Sequence, residues 1–371
     1  MHQFLEQLLI GIQLGSMYAL IALGYTMVYG VLKLINFAHG DVYMVGAYAG
    51  LGASAVLGAW LPQHLHTTVP LPSPMGFVIV MLAAMFLCGL LGLVIEQAAY
   101  RPLRSRVWVT PAIFIGAAIG YIAYCMAIDA NRTLWSARLI GLGAWLAVAW
   151  LLRTTQRRKT FAVSSRLTAL ITAIGVSLFL ENFGDLPQVF SSQPQFYPTL
   201  LQMPASTGAV SMPTVIMLGV AVVLMTILSY IVTRTKIGKA IRAVSFDPDA
   251  AALMGINTDR VIAFTFALGS ALAGAAGVMV TAFSGNGFNP YVGVQPGIKA
   301  FVAAVLGGIG NIPGAALGGL IMGVAETMVV AYGSLIHVPD TYRDAVAFLL
   351  LILILLLRPS GLLGKAAVEK V

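Results

Sequence analysis

The chain is a succession of long apolar runs joined by short polar segments. A bilayer-spanning helix needs about 20 mostly apolar residues. Eleven such runs stand at approximately 5–32, 38–60, 76–98, 111–129, 138–152, 166–186, 213–233, 261–283, 298–312, 315–335 and 343–357. They extend over the whole length with no long soluble block between them. The pattern predicts an all-α integral membrane protein, a polytopic helical bundle of about eleven (nine to eleven) transmembrane helices forming one domain over residues 1–371.

Composition agrees with the pattern and narrows it. Of the 371 residues, 59% are hydrophobic and 9% charged, and the mean hydropathy is +0.91. Soluble chains carry roughly 25% charged residues, so the polar surface here is too small to cover a water-soluble globule. The first run is expected to remain as a span. Met1 to Glu6 has no basic n-region, and the apolar stretch continues to about Ile35 without a short core and small-residue cleavage site. Cys88 and Cys125 both fall inside apolar runs, where a lone thiol behaves as a small hydrophobe. They suggest neither a disulfide framework nor a metal site.

Charge then orients the bundle. Alternating the sides of the loops gathers seventeen of the 21 basic residues on one side, leaving Arg132, Arg138, Lys299 and Arg343 on the other. Basic loops mark the cytoplasmic face, which places the N-terminus outside and the C-terminus in the cytoplasm. The net charge of +8 is accounted for in the same way, so nucleic acid is not expected as a partner. The outer loops 61–74 and 191–204 carry no Lys, Arg, Asp or Glu. His64 and His66 in the first of them lack a third ligand and make a weak metal pair. Those loops suit reception of a solute-loaded partner.

Small residues recur along the spans, as in "GSMYALIALG" (15–24), "ALGSALAGAAGV" (267–278) and "LGGIGNIPGAALGGLIMG" (306–323). In lipid, such residues let helix backbones approach closely. Gly308, Gly310 and Gly314 superficially suggest a phosphate cradle. However, no strand precedes them and GxxxxGK[ST] occurs nowhere, so they are expected to form a tight break between two membrane helices.

One polar stretch interrupts this apolar chain. "GKAIRAVSFDPDAAALMG" (238–255) concentrates Lys239, Arg242, Asp247 and Asp249 on the expected cytoplasmic face. Pro248 suits the first turn of a short helix capped by Asp247, and Gly255 suits its end. The apolar run Ala250, Ala251, Ala252, Leu253, Met254 predicts that a partner protein covers this helix.

"DAAALMG" (249–255) looks like the cytoplasmic EAA-x-x-x-G loop of ABC-importer permeases, with Asp249 in place of Glu. Together with "GSMYALIALGYTMVYGVLKLINFAHGDVYMVGAY" (15–48), "ITAIGVSLFLEN" (171–182) and "AVLGGIGNIPGAALGGLIMGVAE" (304–326), it resembles the branched-chain amino acid ABC permease family, LivH-type subunit. The resemblance covers about 1–105 and 164–371, and sets apart an insertion of two apolar runs at about 106–163. It implies a bacterial inner-membrane permease paired with a second homologous permease, two cytoplasmic ATPase subunits and a periplasmic binding protein. It also implies a coupling loop at about 234–260 carrying Lys239, Arg242, Asp247, Asp249, Ala250, Ala251 and Gly255. No cofactor is expected on this chain, ATP being used by the partner subunits.

Intramembrane polar groups are costly in lipid and are therefore candidates for function. Asn36, His39 and Asp41 fit either interfacial helix caps or contacts to solute. Glu96, Glu181 with Asn182, and Glu326 fit the headgroup level or pairing with a basic side chain, ahead of a solute-binding role. Gly269 and Ala273, with the glycines of the 308–314 break, could line a path for an amino acid or serve close packing equally well. No catalytic set stands out. An ion-coupled transporter would need a paired ionisable site near midspan, a membrane enzyme would need clustered catalytic groups, and a urea or short-amide permease would share the same family.

Overall fold

The computed structural model describes residues 2–60, 72–101, 166–201, 211–333, 339 and 342–364. The expected runs at 111–129 and 138–152, with the 106–163 insertion, Cys125, Arg132, Arg138, His64 and His66, lie outside those residues. The chain divides into two compact units, Met1–Leu93 with Ile174–Val371, and Val94–Ala173. Of the second unit, only 94–101 and 166–173 are described, and both are helical.

The helices, numbered in chain order, are α1 (His2–Leu32), α2 (His39–Ala55), α3 (Pro74–Ile95), α4 (Arg166–Gly184), α5 (Met212–Arg234), α6 (Lys236–Phe246), α7 (Pro248–Leu253), α8 (Thr258–Ser284), α9 (Val294–Gly307), α10 (Ile312–Tyr332) and α11 (Arg343–Leu357). π-helical turns extend α2 and α3 through Val56–Trp60 and Glu96–Tyr100. Each of the nine expected runs that fall on described residues is helical. Among the described residues, six helices are long and apolar enough to cross a membrane, while Ala169–Gly184 and Val294–Gly307 are shorter apolar helices.

At the centre stands α1, which packs against α10, α8, α9, α5, α6 and α2. Ala19, Leu20, Ile21, Ala22 and Leu23 are all fully buried, so this helix is enclosed on every side over that turn. Its closest neighbour is α10, running antiparallel. A Cβ on Gly11 would stand 2.8 Å from Val324 Cα, and one on Gly15 would stand 2.7 Å from Leu320 Cα. From the other side, Gly319 abuts Ala19 and Gly323 abuts Gly15. The small residues read in the sequence therefore serve backbone-to-backbone contact, the main source of helix association where lipid supplies no hydrophobic drive. α2 and α8 meet the same way in parallel, with Gly46 on Gly274 and Gly50 beside Val278.

The glycine-rich break separates α9 from α10, so the run expected to continue to 312 ends at Gly307. Gly308 (φ 104°) and Gly310 (φ 94°) hold conformations that side chains resist. The Asn311 side chain caps α10 by accepting from Gly314 N–H at 3.2 Å. The chain after α11 closes the break: Leu362 N–H donates to Leu306 O (2.9 Å), Leu363 N–H donates to Gly307 O (3.0 Å), and Asn311 Nδ2 donates to Leu363 O (2.6 Å).

At the far end of α2, residues 191–201 fold onto the bundle. Gln195 and Phe288 exchange backbone hydrogen bonds of 2.9 Å, and Tyr197 Oη donates to Ala47 O at 2.6 Å. Tyr48 stacks on Phe190 with 4.0 Å between centroids and meets Phe288 at 4.9 Å.

This packing predicts that Gly319→Leu abolishes recovery of folded protein from detergent. Gly219→Leu, whose Cβ would meet nothing within 4 Å, should leave the thermal unfolding midpoint unchanged. Equal tolerance of the two substitutions would contradict the contact.

Candidate functional site

The polar stretch between α5 and α8 folds as two short helices braced on the bundle. α5 ends at Thr235, whose hydroxyl donates to Ile231 O (2.6 Å) and accepts from Gly238 N–H (3.1 Å). The turn is so tight that a Cβ on Gly238 would collide with the carbonyls of Ile231 and Val232. Arg242 donates to the Val232 carbonyl and so ties α6 back to the end of α5. Gly238, Ile241 and Val244 form the buried face of α6, which packs on α1, α5 and α8.

Asp247 then caps α7, accepting from Asp249 N–H at 3.0 Å and Ala250 N–H at 2.9 Å, with Pro248 in the first turn. Gly255 at φ 83° ends it, and Ile256 N–H returns to Ala251 O at 3.0 Å. The expected cap, first-turn proline and terminal glycine all hold these positions. The apolar run, however, is split by the helix. Ala251 is buried against the protein, whereas Phe246, Leu253 and Met254 are 94%, 89% and 83% exposed. Lys239, Asp247, Asp249 and Ala250 are exposed around them. Three large apolar side chains thus project from a braced polar surface, the pattern of a docking tip.

The other candidates do not form a single site. α1 stops at Lys33 (φ 56°), and Asn36 O accepts from His39 N–H at 3.2 Å. His39 turns into the bundle, fully buried, edge-on to Tyr25 at 4.8 Å and against Gly24. Asp41 points elsewhere: Ser177 Oγ of α4 donates to it at 2.5 Å, and Glu181 of α4 also faces it. Neither His39 nor Asp41 caps α2, whose first residues have no side-chain cap. Gly269 lies against Gly24, where an added Cβ would stand 3.2 Å from Gly24 Cα, so it serves the α1–α8 contact, and Ala273 is fully buried on the same helix. Gly308, Gly310 and Gly314 form the α9–α10 break described above.

A buried ionic cluster lies elsewhere in the bundle. Glu326 of α10, with no exposed surface, accepts from Lys299 Nζ of α9 (2.7 Å), from Tyr18 Oη of α1 (2.8 Å) and from Arg343 Nε of α11. Lys299 also meets Asp344 at 2.7 Å. Among the readings open for Glu326, the structure shows the pairing with basic side chains. Lys299 and Arg343 are two of the four basic residues that the sequence placed on the outer side, and here each has a carboxylate partner. The fold gathers two cations and two anions at one junction.

The model of the family described as "Branched-chain amino acid transport system / permease component" matches residues 7–132 and 116–355. The chain belongs to this branched-chain amino acid transport permease family. It is 38% identical over 376 residues to the high-affinity branched-chain amino acid transport system permease protein LivH of Escherichia coli (strain K12), covering 99% of this chain and 98% of the relative. It is likewise 38% identical over 382 residues to the BraD permease protein of Pseudomonas aeruginosa, covering 100% and 99%. A solved structure titled "PsaBC from Streptococcus pneumoniae in complex with Fab" aligns at a TM-score of 0.30 and 14% identity, too low to argue from. The two family matches overlap at 116–132, inside the segment set apart as an insertion.

In this family member, reading the sequence missed Phe246 in the exposed apolar tip, although its place at the end of an amphipathic α6 was a usable signal. It also missed the cluster of Tyr18, Lys299, Arg343 and Asp344 around Glu326. With Glu326 they come from four helices, α1 and the consecutive α9, α10 and α11, and no local spacing announces them.

Removing one member of a buried ion cluster leaves an uncompensated charge, which costs about 3–5 kcal/mol. Glu326→Leu should therefore lower the thermal unfolding midpoint sharply in detergent. Adding Lys299→Met should restore most of it, because Arg343 and Asp344, each about half exposed (47% and 50%), can pair with each other. A double variant no more stable than the single one would contradict this account.

Proposed function

We propose that this chain is the permease subunit of an ATP-binding-cassette importer in the bacterial inner membrane, and that it carries branched-chain amino acids. Its full-length similarity to LivH and BraD permease proteins supports the solute class, and its six long apolar helices support a multi-pass location. A second homologous permease completes the membrane path, a periplasmic protein delivers the solute, and two cytoplasmic ATPase subunits bind and hydrolyse ATP. The chain itself is a transport subunit.

The observation that carries the proposal is the exposed apolar tip of Phe246, Leu253 and Met254 on a support continuous with the membrane helices. Apolar surface of this kind on the aqueous side calls for a partner. An ATPase groove seated on it moves α7 as the nucleotide sites close. The Thr235–Gly238 turn and the Arg242–Val232 bond pass that motion to α5, and the buried face of α6 passes it to α1 and α8. Asp247 and Asp249 at the rim add specificity of orientation, as interfacial charges generally do.

The test is affinity purification of the tagged chain, co-expressed with its native partners. The wild type should retain a Walker-motif ATPase and a second permease. Leu253→Asp with Met254→Asp should reduce the ATPase roughly tenfold or more, as loss of interface anchors does, while membrane insertion and the second permease persist. Undiminished ATPase recovery would overturn the docking role.

A further inference from the structure

A groove of about 440 Å³ lies between α5 and α10. Both helices pack on α1, and the fully buried Leu23 of α1 forms the floor between them. The α5 wall is one face of that helix, with Val222, Met225, Ser229 and Thr233 at spacings of three and four. From Val222 to Arg234 it covers about 18 Å at 1.5 Å per residue. Half of a hydrocarbon core about 30 Å thick is about 15 Å, so the groove has the depth of one leaflet. Arg234 ends α5 while Ile312 and Pro313 begin α10, so both walls reach the level that the basic loops assign to the cytoplasm.

The lining changes character along that depth. Toward the middle of the membrane it is apolar, with Val222, Met225 and Leu23. Toward the cytoplasmic end come Ser229, Tyr230, Thr233 and Arg234. Thr226 and Thr233 donate their hydroxyl protons to the carbonyls of Val222 and Ser229, both at 2.7 Å. By contrast, the Ser229 and Tyr230 hydroxyls and the Arg234 guanidinium have no partner among the described residues. Free donors and a positive charge therefore gather at headgroup level, next to an apolar slot.

This gradient selects the occupant. The groove opens on the outer side of α5, where Val223, Ile227 and Tyr230 are 56%, 49% and 63% exposed, and so faces away from any path through the bundle. A partner helix would need small residues for close approach. The α1–α10 and α2–α8 seams supply them as glycines, whereas no glycine lines this groove. A phospholipid matches both halves: an acyl chain fits the apolar slot, and phosphate oxygens accept from the free donors. A guanidinium suits phosphate through two parallel N–H bonds. The groove contains no Asp or Glu to pair with the cation of a zwitterionic headgroup. Basic pockets between membrane helices on the cytoplasmic side favour anionic headgroups.

We propose that the groove between α5 and α10 binds an anionic phospholipid of the inner leaflet, its phosphate held by Arg234, Tyr230 and Ser229 and one acyl chain lying over Leu23. The site goes beyond the transport function and holds whichever solute is carried. Arg234 adjoins Thr235, whose hydroxyl caps α6, so lipid in the groove steadies the end of α5 that carries the apolar tip.

The test titrates the complete permease complex in detergent with phosphatidylglycerol, with phosphatidylcholine of the same acyl chains and with inorganic phosphate, counting bound lipid by native mass spectrometry. Phosphatidylglycerol should bind roughly fivefold more tightly than phosphatidylcholine, the worth of one basic residue at an anionic lipid. Arg234→Gln should lose that preference, while Arg358→Gln, at an exposed position after α11, should keep it. Phosphatidylglycerol with a photoreactive diazirine on its acyl chain should label residues 222–233 and 312–316. Ser229→Trp, which fills the groove, should remove the labelling with the unfolding midpoint held. Equal binding of the two lipids, an Arg234→Gln variant that keeps the preference, or labelling confined to other helices would overturn the site. So would displacement of phosphatidylglycerol by millimolar inorganic phosphate, which would make Arg234 a site for a free anion. A photo-cross-linker at position 226 that captures the second permease would also overturn it, by showing the groove to be a subunit interface.

Discussion

Everything in this bundle is arranged around the contact of α1 with α10, where the two backbones touch with almost nothing between them. Gly11, Gly15 and Ala19 on one helix meet Gly319, Gly323 and their neighbours on the other, and a single added Cβ would have to displace main chain. In a lipid solvent the hydrophobic effect does not hold helices together, so surface matching of this kind does. The cost is that the seam tolerates little change. The benefit is a central helix whose position is tightly fixed, against which α5, α6, α8 and α9 are packed.

That fixed centre gives the two short helices between α5 and α8 their mechanical meaning. α6 is short and lies next to water, yet its buried face, the Thr235 cap and the Arg242 bond to Val232 make it an extension of α5 that leans on α1 and α8. Under the proposed docking, a partner pressing on Phe246, Leu253 and Met254 would act on three helices at once. The opposite requirement, holding parts together, is met by Glu326. Its two oxygens join α1, α9 and α11 to α10, and the cluster sums to zero charge with Asp344 included. Burying it is tolerable because each charge has a partner. At the α9–α10 break, the same joining is done by backbone, with Leu362 and Leu363 bonded to the last carbonyls of α9.

The parts of this architecture legible in the sequence are those set by local chemistry. Long apolar runs announced nine helices. Asp247, Pro248 and Gly255 announced the cap, first turn and terminal glycine of α7, which ends at Leu253, because capping and left-handed termination depend on side chains a few positions apart. Gly308 and Gly310 announced the α9–α10 break, since few other residues adopt that backbone. What stayed hidden depends on contacts between distant segments. Lys299, Glu326, Arg343 and Tyr18 come together only once four helices are packed. His39 and Asp41, two residues apart, looked like one cluster and instead face different helices, because a helix turns 100° per residue. Ala251 looked like part of an exposed run, but the same rotation puts it on the inner face and leaves Leu253 and Met254 outside.

The central claim is that the apolar tip of α6 and α7 is where the driving ATPase sits. Hydrogen–deuterium exchange on the full chain, with and without the ATPase subunits bound, measures this directly. The account predicts slowed exchange concentrated in residues 244–256, with α1 and α10 already protected and unchanged. Slowing confined to other cytoplasmic segments, with 244–256 exchanging as freely as before, would contradict it.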